Sequence, residues 1–527
     1  MKKFNLFLAA LLTGSMCLGS FAACGGDDFV DEQGNKVTDP SKIVEIALYN
    51  SGVGRVWLDD LIKEYQAKNP GYAFSVVDSG STDTFYNTIE AGARANTYDL
   101  YFTYGPRYRQ YFSGPKKGDY LENLNDVYTA KVDGDDTTIE DKIPDSMEST
   151  LKVNGTYYAG LWQATASGLL YNKAEFDNHS AWAQETATGL PNTTNQLASF
   201  AMAIYEDGKT PFTHFPAYTE YLWAVWWEQY QGEGSYNDFW AKDYYEYFEA
   251  MDNSSWDTSA DYVHKGVQKA LETLYNIITP QGYTMDGSNT LKLSEVQTDF
   301  VQGDVMMMVN GGWLETELAK NPTGVQIKGT EIQFMKVPVI SSIVETLEDT
   351  SMTDEELSAI IDWIDGGKTG EKPDANNNDI EKIEYARNVA YSSGPELLTF
   401  IPSYAEGKGV AKDFLKFMYS NEGAEIYIKA TKNIPPWYSG DVSKIDTSDW
   451  TPFAKSHMEL QKKANYIFKS FEHPINYTTN HVGVFYNNPE EMFTLSEGAE
   501  TVSAFLSREI GQTKKDWAIL CSGAGLD

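Results

Sequence analysis

Between residues 43 and 103 the hydrophobic period switches back and forth between that of a strand and that of a helix, and this alternation narrows the possible folds more than any other feature. Ile43–Tyr49 (IVEIALY) is a short apolar run of the kind a buried strand needs, and a glycine-containing turn follows at 50–54. Residues 55–69 then place Val56, Leu58, Leu61, Ile62 and Tyr65 at near-helical spacing, with Asn69-Pro70-Gly71 as the stop. A second strand is expected over 72–77, a helix over about 85–95 and a third strand over 98–103. Strand, helix, strand, helix, strand is the signature of an α/β fold around a parallel sheet. A chain of 527 residues has room for two or more such units.

In a parallel sheet the loops after the carboxyl ends of the strands gather on one edge, where ligands bind. Those loops are 50–54, 78–82 and 104–107. The first, Asn50-Ser51-Gly52-Val53-Gly54, has neither G-x-G-x-x-G spacing nor a phosphate-binding lysine, so it is not a nucleotide loop. Nucleic acid is excluded by charge: 76 acidic residues stand against 41 basic ones, a net −35, and no basic stripe is present. Aromatic content is 14%, with 13 Trp and 34 Tyr. Flat apolar rings with one polar tip serve cores, and they also stack on sugar faces.

The first residues read as a targeting segment. Lys2 and Lys3 precede a run from Phe4 to Met16 rich in Leu, Ala and Phe, and small residues lead to Cys24. That run is shorter than the ~18–20 residues a membrane span requires, and no second long apolar run follows. Phe21-Ala22-Ala23-Cys24-Gly25 resembles the lipobox of bacterial lipoproteins, with Phe21 where leucine is usual. The resemblance implies a signal peptide over 1–23, a lipid on Cys24 and an extracytoplasmic, membrane-anchored protein; an ordinary secretory signal is the alternative. Once Cys17 leaves with the signal and Cys24 is acylated, only Cys521 remains, so no intrachain disulfide is expected. Residues 24–42 are polar, acidic and rich in Gly, the composition of a flexible tether.

Five segments in order then resemble the extracellular solute-binding proteins of bacterial carbohydrate ABC importers, the branch similar to maltose-binding protein. They are the opening strand with its helix ending KEYQAKNPGY; Tyr98-Asp99-Leu100-Tyr101-Phe102; NGTYYAGLWQATASGLLYNKAEF at 154–176; DFVQGDVMMMVNGGWLETEL at 299–318; and IPSYAEGKGVAKDFLKFMYSNEGAEIYIKATKNIPP at 401–436. Leu161-Trp162 departs from the family's usual Ile-Pro. The resemblance implies a two-lobed α/β clamp whose discontinuous lobes close on a ligand about a hinge. Lobe one is expected at 43–160 and 390–435, and lobe two at 161–340 and in C-terminal helices over 436–527. An acidic, solvated insertion is expected at 341–389.

The same resemblance places ligand-binding candidates. Asn50, Ser81 and Tyr104 fall in strand-end loops of lobe one, Trp162 at the crossing, Asn310 and Trp313 in the NGGW motif, and Trp437 after Ile434-Pro435-Pro436. Trp223 lies in YTEYLWAVWWEQY (218–230), a helix whose aromatic stripe is core-like, but whose start faces the ligand in the family. Each also has a structural reading: an aromatic packs cores, and a loop Asn or Ser caps helices and turns. The implied function is capture of a carbohydrate, an oligosaccharide given the number of rings, for an ABC permease by a monomer without cofactor, metal or catalytic residue. Asp374-Ala375-Asn376-Asn377-Asn378-Asp379 lacks the glycine and the bidentate glutamate of a calcium loop. The rival readings are a glycan- or peptide-binding lipoprotein uncoupled from import, and a glycoside hydrolase with two carboxylates astride its bond.

Overall fold

The structure is a computed structural model that describes residues 29–50, 52–79, 81–92, 98–105, 107–112, 116–163, 165–243, 264–288, 290–320, 324–470, 472–473, 475, 501–524 and 526. The signal segment and Cys24 lie outside the described residues.

Two sheets define two lobes. In the first, the strands Ala73–Ser79, Ile43–Tyr49 and Leu100–Tyr104 run parallel, and Leu397–Phe400 and then Gly160–Leu161 extend the sheet antiparallel. The observed strands fall within two residues of those read from periodicity. The intervening helix, Val56–Lys68, buries Trp57, Leu58, Leu61, Ile62 and Tyr65 against this sheet, and Asn69 ends it by donating its N–H to the Tyr65 and Gln66 carbonyls. The second sheet runs Asn465–Ile467, Val389–Ser392, Ala166–Asn172, Val305–Gly311, Thr210–Thr213, with Ile332–Met335 also paired to Ala166–Asn172. Its core is built on the helix Glu220–Gln231, buried nearly all round, which ends at Gly232, where a φ of 111° suits a residue without Cβ.

Among the described residues the chain crosses between lobes three times: from Leu161 to Ala166, from Ser392 to Leu397, and between Trp437 and the helix Pro452–Gln461. The crossings are tied together by buried polar groups. The Thr165 hydroxyl donates to Asn433 Oδ1 at 3.1 Å, and His457 Nε2 lies 2.9 Å from the Ala166 carbonyl oxygen and 3.1 Å from Thr165 Oγ1. Burial pushes His457 down to about 4, because the imidazolium has no water there. Gly312 sits so tightly in this junction that a Cβ on it would lie 2.3 Å from His457 Cε1 and 2.7 Å from Thr165 Oγ1.

The acidic stretch at 341–389 is not a solvated insertion. It forms the helices Asp354–Asp365 and Asn377–Arg387, capped by Thr353 with Glu356 and by the Asn376 side chain. Leu357, Ile360, Ile361 and Ile364, with Ile380 and Ile383, place an apolar stripe at helical spacing into the core of lobe two. Asp379 accepts the N–H groups of Glu348 and Asp349 at 2.7 and 3.0 Å. The Asn/Asp run is thus a helix start, and the described residues contain no group of three or more metal-ligating side chains. The described part of the expected tether is also ordered: the Asp31 carboxylate accepts the N–H groups of Gln33 and Asn35 in a turn, and Val37 is buried. Val389–Ser392 belongs to the second sheet, so the return to lobe one begins at 393, and Trp437 packs in lobe one.

Candidate ligand-binding cleft

The first sheet ends at its carboxyl edge in Tyr49, Ser79 and Tyr104. The rings of Tyr49 and Tyr104 lie 5.8 Å apart, and Tyr104 is 43% exposed, a large aromatic left open at the sheet edge. Beside it runs the crossing turn Gly394–Glu396, fixed to the strand end by the Gly105 N–H, which donates to the Glu396 carbonyl at 2.7 Å. The Tyr104 phenol and the Glu396 carboxyl are neighbours here, and burial pushes Glu396 up to about 7.

Lobe two supplies the facing wall. Tyr218 and Tyr221, three apart at the start of the helix Glu220–Gln231, stack at 5.0 Å and meet Trp313 edge-on at 5.8 and 6.1 Å. Tyr221 also packs 5.0 Å from Tyr391 in the second sheet. Tyr221 lies within electrostatic range of Tyr104 and Glu396, and Tyr218 of Tyr49, so the two walls face each other. On the floor, Glu220 Oε1 accepts the Tyr236 hydroxyl at 2.5 Å. Lys469 holds its ammonium 4.2 Å over the Trp240 ring and is coupled to both Glu220 and Glu396. Burial raises Glu220 and lowers Lys469, each against its charged form. Ser167 is paired in register with Gly311, which lies under Trp313, and with Tyr391. It therefore shares their sheet face, and its fully buried hydroxyl has no hydrogen-bond partner.

The rim is closed by contacts between lobes. Trp313, 7% exposed, sits directly over Gly52, and Lys320 Nζ donates to Asn50 Oδ1 at 3.1 Å. Asn50 in turn donates from Nδ2 to Asp78 at 3.1 Å. The residues singled out from sequence therefore separate. Tyr104 and Trp313 line the cleft, and Asn50 bridges its rim. Ser81 is exposed at the start of the helix Thr82–Ala91, with no side-chain cap bond.

Four others sit elsewhere. Trp162 is fully buried in lobe one, stacked 5.5 Å from Trp57, with Nε1 donating to the Thr103 carbonyl at 3.0 Å. Trp437 is buried in the same core and donates to the Met418 carbonyl at 3.2 Å. Trp223 is buried against Trp227, 6.3 Å away, two residues past the Tyr221 that reaches the cleft. Asn310 pairs in register with Gly168, whose open side faces Leu460 and Phe334, so it lies on the sheet face opposite Trp313. The three tryptophans are consumed by core packing, which leaves no face for a ligand, and Asn310 Oδ1 accepts the Gly311 N–H at 2.7 Å on the far face of the sheet. Sequence reasoning missed Tyr49, Tyr218, Tyr221, Glu220, Glu396 and Lys469. The Tyr218-x-x-Tyr221 spacing at a helix start was a usable signal for two of them.

Solved structures share this architecture. RafE in complex with raffinose is 15% identical, covering 91% of this chain and 99% of that one, with a TM-score of 0.54; RafE is also solved in its apo form, from Streptococcus pneumoniae. A chitin oligosaccharide binding protein is 17% identical over 90% of this chain and 98% of its own, with a TM-score of 0.56. The GacH receptor of Streptomyces glaucescens, solved unliganded and with acarbose, is 14% identical over 91% and 98%, with a TM-score of 0.54. No curated protein matches the sequence. Residues 51–425, well over half of the chain, match the model of the bacterial extracellular solute-binding proteins, and the chain belongs to that family.

Proposed function

We propose that the protein captures an oligosaccharide in the cleft between its lobes and delivers it to an ABC permease, held at the extracytoplasmic membrane surface by a lipid on Cys24. The observation that carries this reading is the pairing of aromatic walls, Tyr49 and Tyr104 against Tyr218, Tyr221 and Trp313, with carboxylates and a hydroxyl on the floor. Aromatic planes cover the C–H faces of sugar rings while the polar groups take hydroxyls. The similar proteins solved with raffinose and with acarbose, and the one named for chitin oligosaccharides, support the ligand class. The protein acts as a monomer without cofactor and breaks no bond. A short lipid tether raises its effective concentration at the permease.

The test is to incubate the protein with a mixed oligosaccharide pool, desalt it and record native mass spectra of the protein and of the pool. One intact sugar retained per chain is the expected result. Shortened products would instead make Glu220 and Glu396 the acid and base of a glycosidase, and an empty protein beside an untouched pool would move the ligand to peptides. Radiolabelled lipid precursor incorporated by the intact chain and lost in Cys24→Ala checks the anchor.

A further inference from the structure

Charge on the cleft floor narrows the ligand further, on the premise that the site takes sugars. Two carboxylates, Glu220 and Glu396, lie within electrostatic range of one ammonium, Lys469, which sits over the Trp240 ring. Glu220 accepts the Tyr236 hydroxyl at 2.5 Å, and Glu396 has the Tyr104 phenol as its neighbour. A phenol supplies no charge, so among the described residues the floor keeps an excess of one negative charge when both carboxylates are ionised. The cost is visible at Glu396, whose carboxyl burial pushes up to about 7.

A neutral sugar that displaces the remaining water would leave that excess uncompensated, whereas an ammonium on the sugar would neutralise it and form charge-assisted hydrogen bonds. An acidic sugar would add to it, and the described arginines that could have clamped a carboxylate are held elsewhere. Arg55 is engaged by Asp59 and Asp78, Arg107 by Asp83, Arg109 by backbone carbonyls and Arg387 by Asp365, and Arg508 lies over the Phe505 ring on the C-terminal helix. The unpartnered Ser167 hydroxyl, buried on the same sheet face as Tyr391 and Trp313, independently marks a place for a polar group of the ligand.

We infer that the cleft selects oligosaccharides carrying a free basic amino group, with Glu396 and Glu220 accepting its ammonium and Lys469 setting the charge balance. Amino sugars with an unacetylated nitrogen are the class this describes.

The experiment is binding of the purified protein, at pH 7 and low salt, to an array of oligosaccharides over several linkages. At one position the array carries in turn a free amine, an acetamide and a hydroxyl. The free amine is expected to bind about tenfold or more tighter than its matched partners, on the scale of a hydrogen bond between charged groups. That ratio should shrink in Glu396→Gln and grow in Lys469→Met, with melting curves confirming that each variant folds. Should Glu396→Gln fail to fold, Tyr104→Phe, which frees the same carboxylate from its phenol, is read in its place and should change the ratio. Matched partners bound as tightly as the amine would overturn the inference while leaving sugar capture intact. An amine preference that ignores both variants would overturn the assignment to Glu396 and Lys469. A folded protein that binds nothing on the array would overturn the sugar-binding reading on which the inference rests.

Discussion

Replacing Gly52 by alanine adds one methyl group at the place where the two lobes touch, and its effect can be worked from the structure. An ideal Cβ at residue 52 would lie 2.5 Å from Trp313 Cβ and 2.9 Å from Trp313 Cγ. Carbon atoms prefer roughly 3.5–4.0 Å, so the two surfaces must separate by about 1 Å. The Trp313 Cβ is one bond from its backbone and cannot rotate away, while the Gly52 backbone is in a conformation that alanine adopts. Since Gly52 belongs to lobe one and Trp313 to lobe two, the strain falls on the closed state and spares each lobe's core. Overpacking of this kind costs about 1–3 kcal/mol, which weakens ligand binding by roughly 5–150-fold. Titration of the variant with the sugar recovered from the wild type should show that loss. X-ray scattering at saturating ligand should show a larger radius of gyration, with the melting temperature of the free protein nearly unchanged. An unchanged dissociation constant, or a fall in melting temperature with no loss of affinity, would refute the argument.

Further expectations follow from the same geometry. Tyr221→Ala should weaken sugar binding by about 1–3 kcal/mol, as loss of a buried aromatic at a binding hot spot does, and should also lower the melting temperature because the ring packs on Tyr218, Trp313 and Tyr391. Trp162→Ala should do the reverse, costing about 3–5 kcal/mol of stability measured by denaturant unfolding while leaving affinity nearly intact, because its ring packs on Trp57 and not on the ligand. Arg387→Met should cost about 1–3 kcal/mol, because it removes the guanidinium 2.8 Å from Asp365 and leaves that carboxylate to Lys336 alone at 2.7 Å; thermal melts check it. His457, pushed down to about 4 in the fold, binds a proton near 6.5 when unfolded, so between those values the unfolded chain holds more protons and stability falls as pH falls. Wild type should lose about 3 kcal/mol from this group between pH 6.5 and 4, so the stability difference from His457→Gln should narrow over that window in paired melts.

How much of this was legible in the sequence depends on whether a signal was local. The parallel sheet of lobe one was, because Ile43–Tyr49 and its neighbours carry their own period, and so was the position of Tyr104 at a strand end. The tryptophans at 162, 223 and 437 misled because the direction of a side chain at a crossing or on a buried helix is fixed by distant partners. Trp57 claims Trp162, and Met418 and Tyr419 claim Trp437. Acidic composition hid the helices at 354–365 and 377–387, although Leu357, Ile360, Ile361 and Ile364 show a helical stripe within it. Glu220, Glu396 and Lys469 could not be grouped beforehand, since only the three lobe crossings bring their segments together.

The most direct test of the central claim is a crystal structure of the protein with the oligosaccharide it retains. Sugar rings should be held between Tyr104 and the Tyr221–Trp313 wall, with a polar group of the ligand on Glu396 and the Gly52–Trp313 contact closed. A ligand seated outside that cleft, or a cleft filled by the protein's own chain, would contradict it.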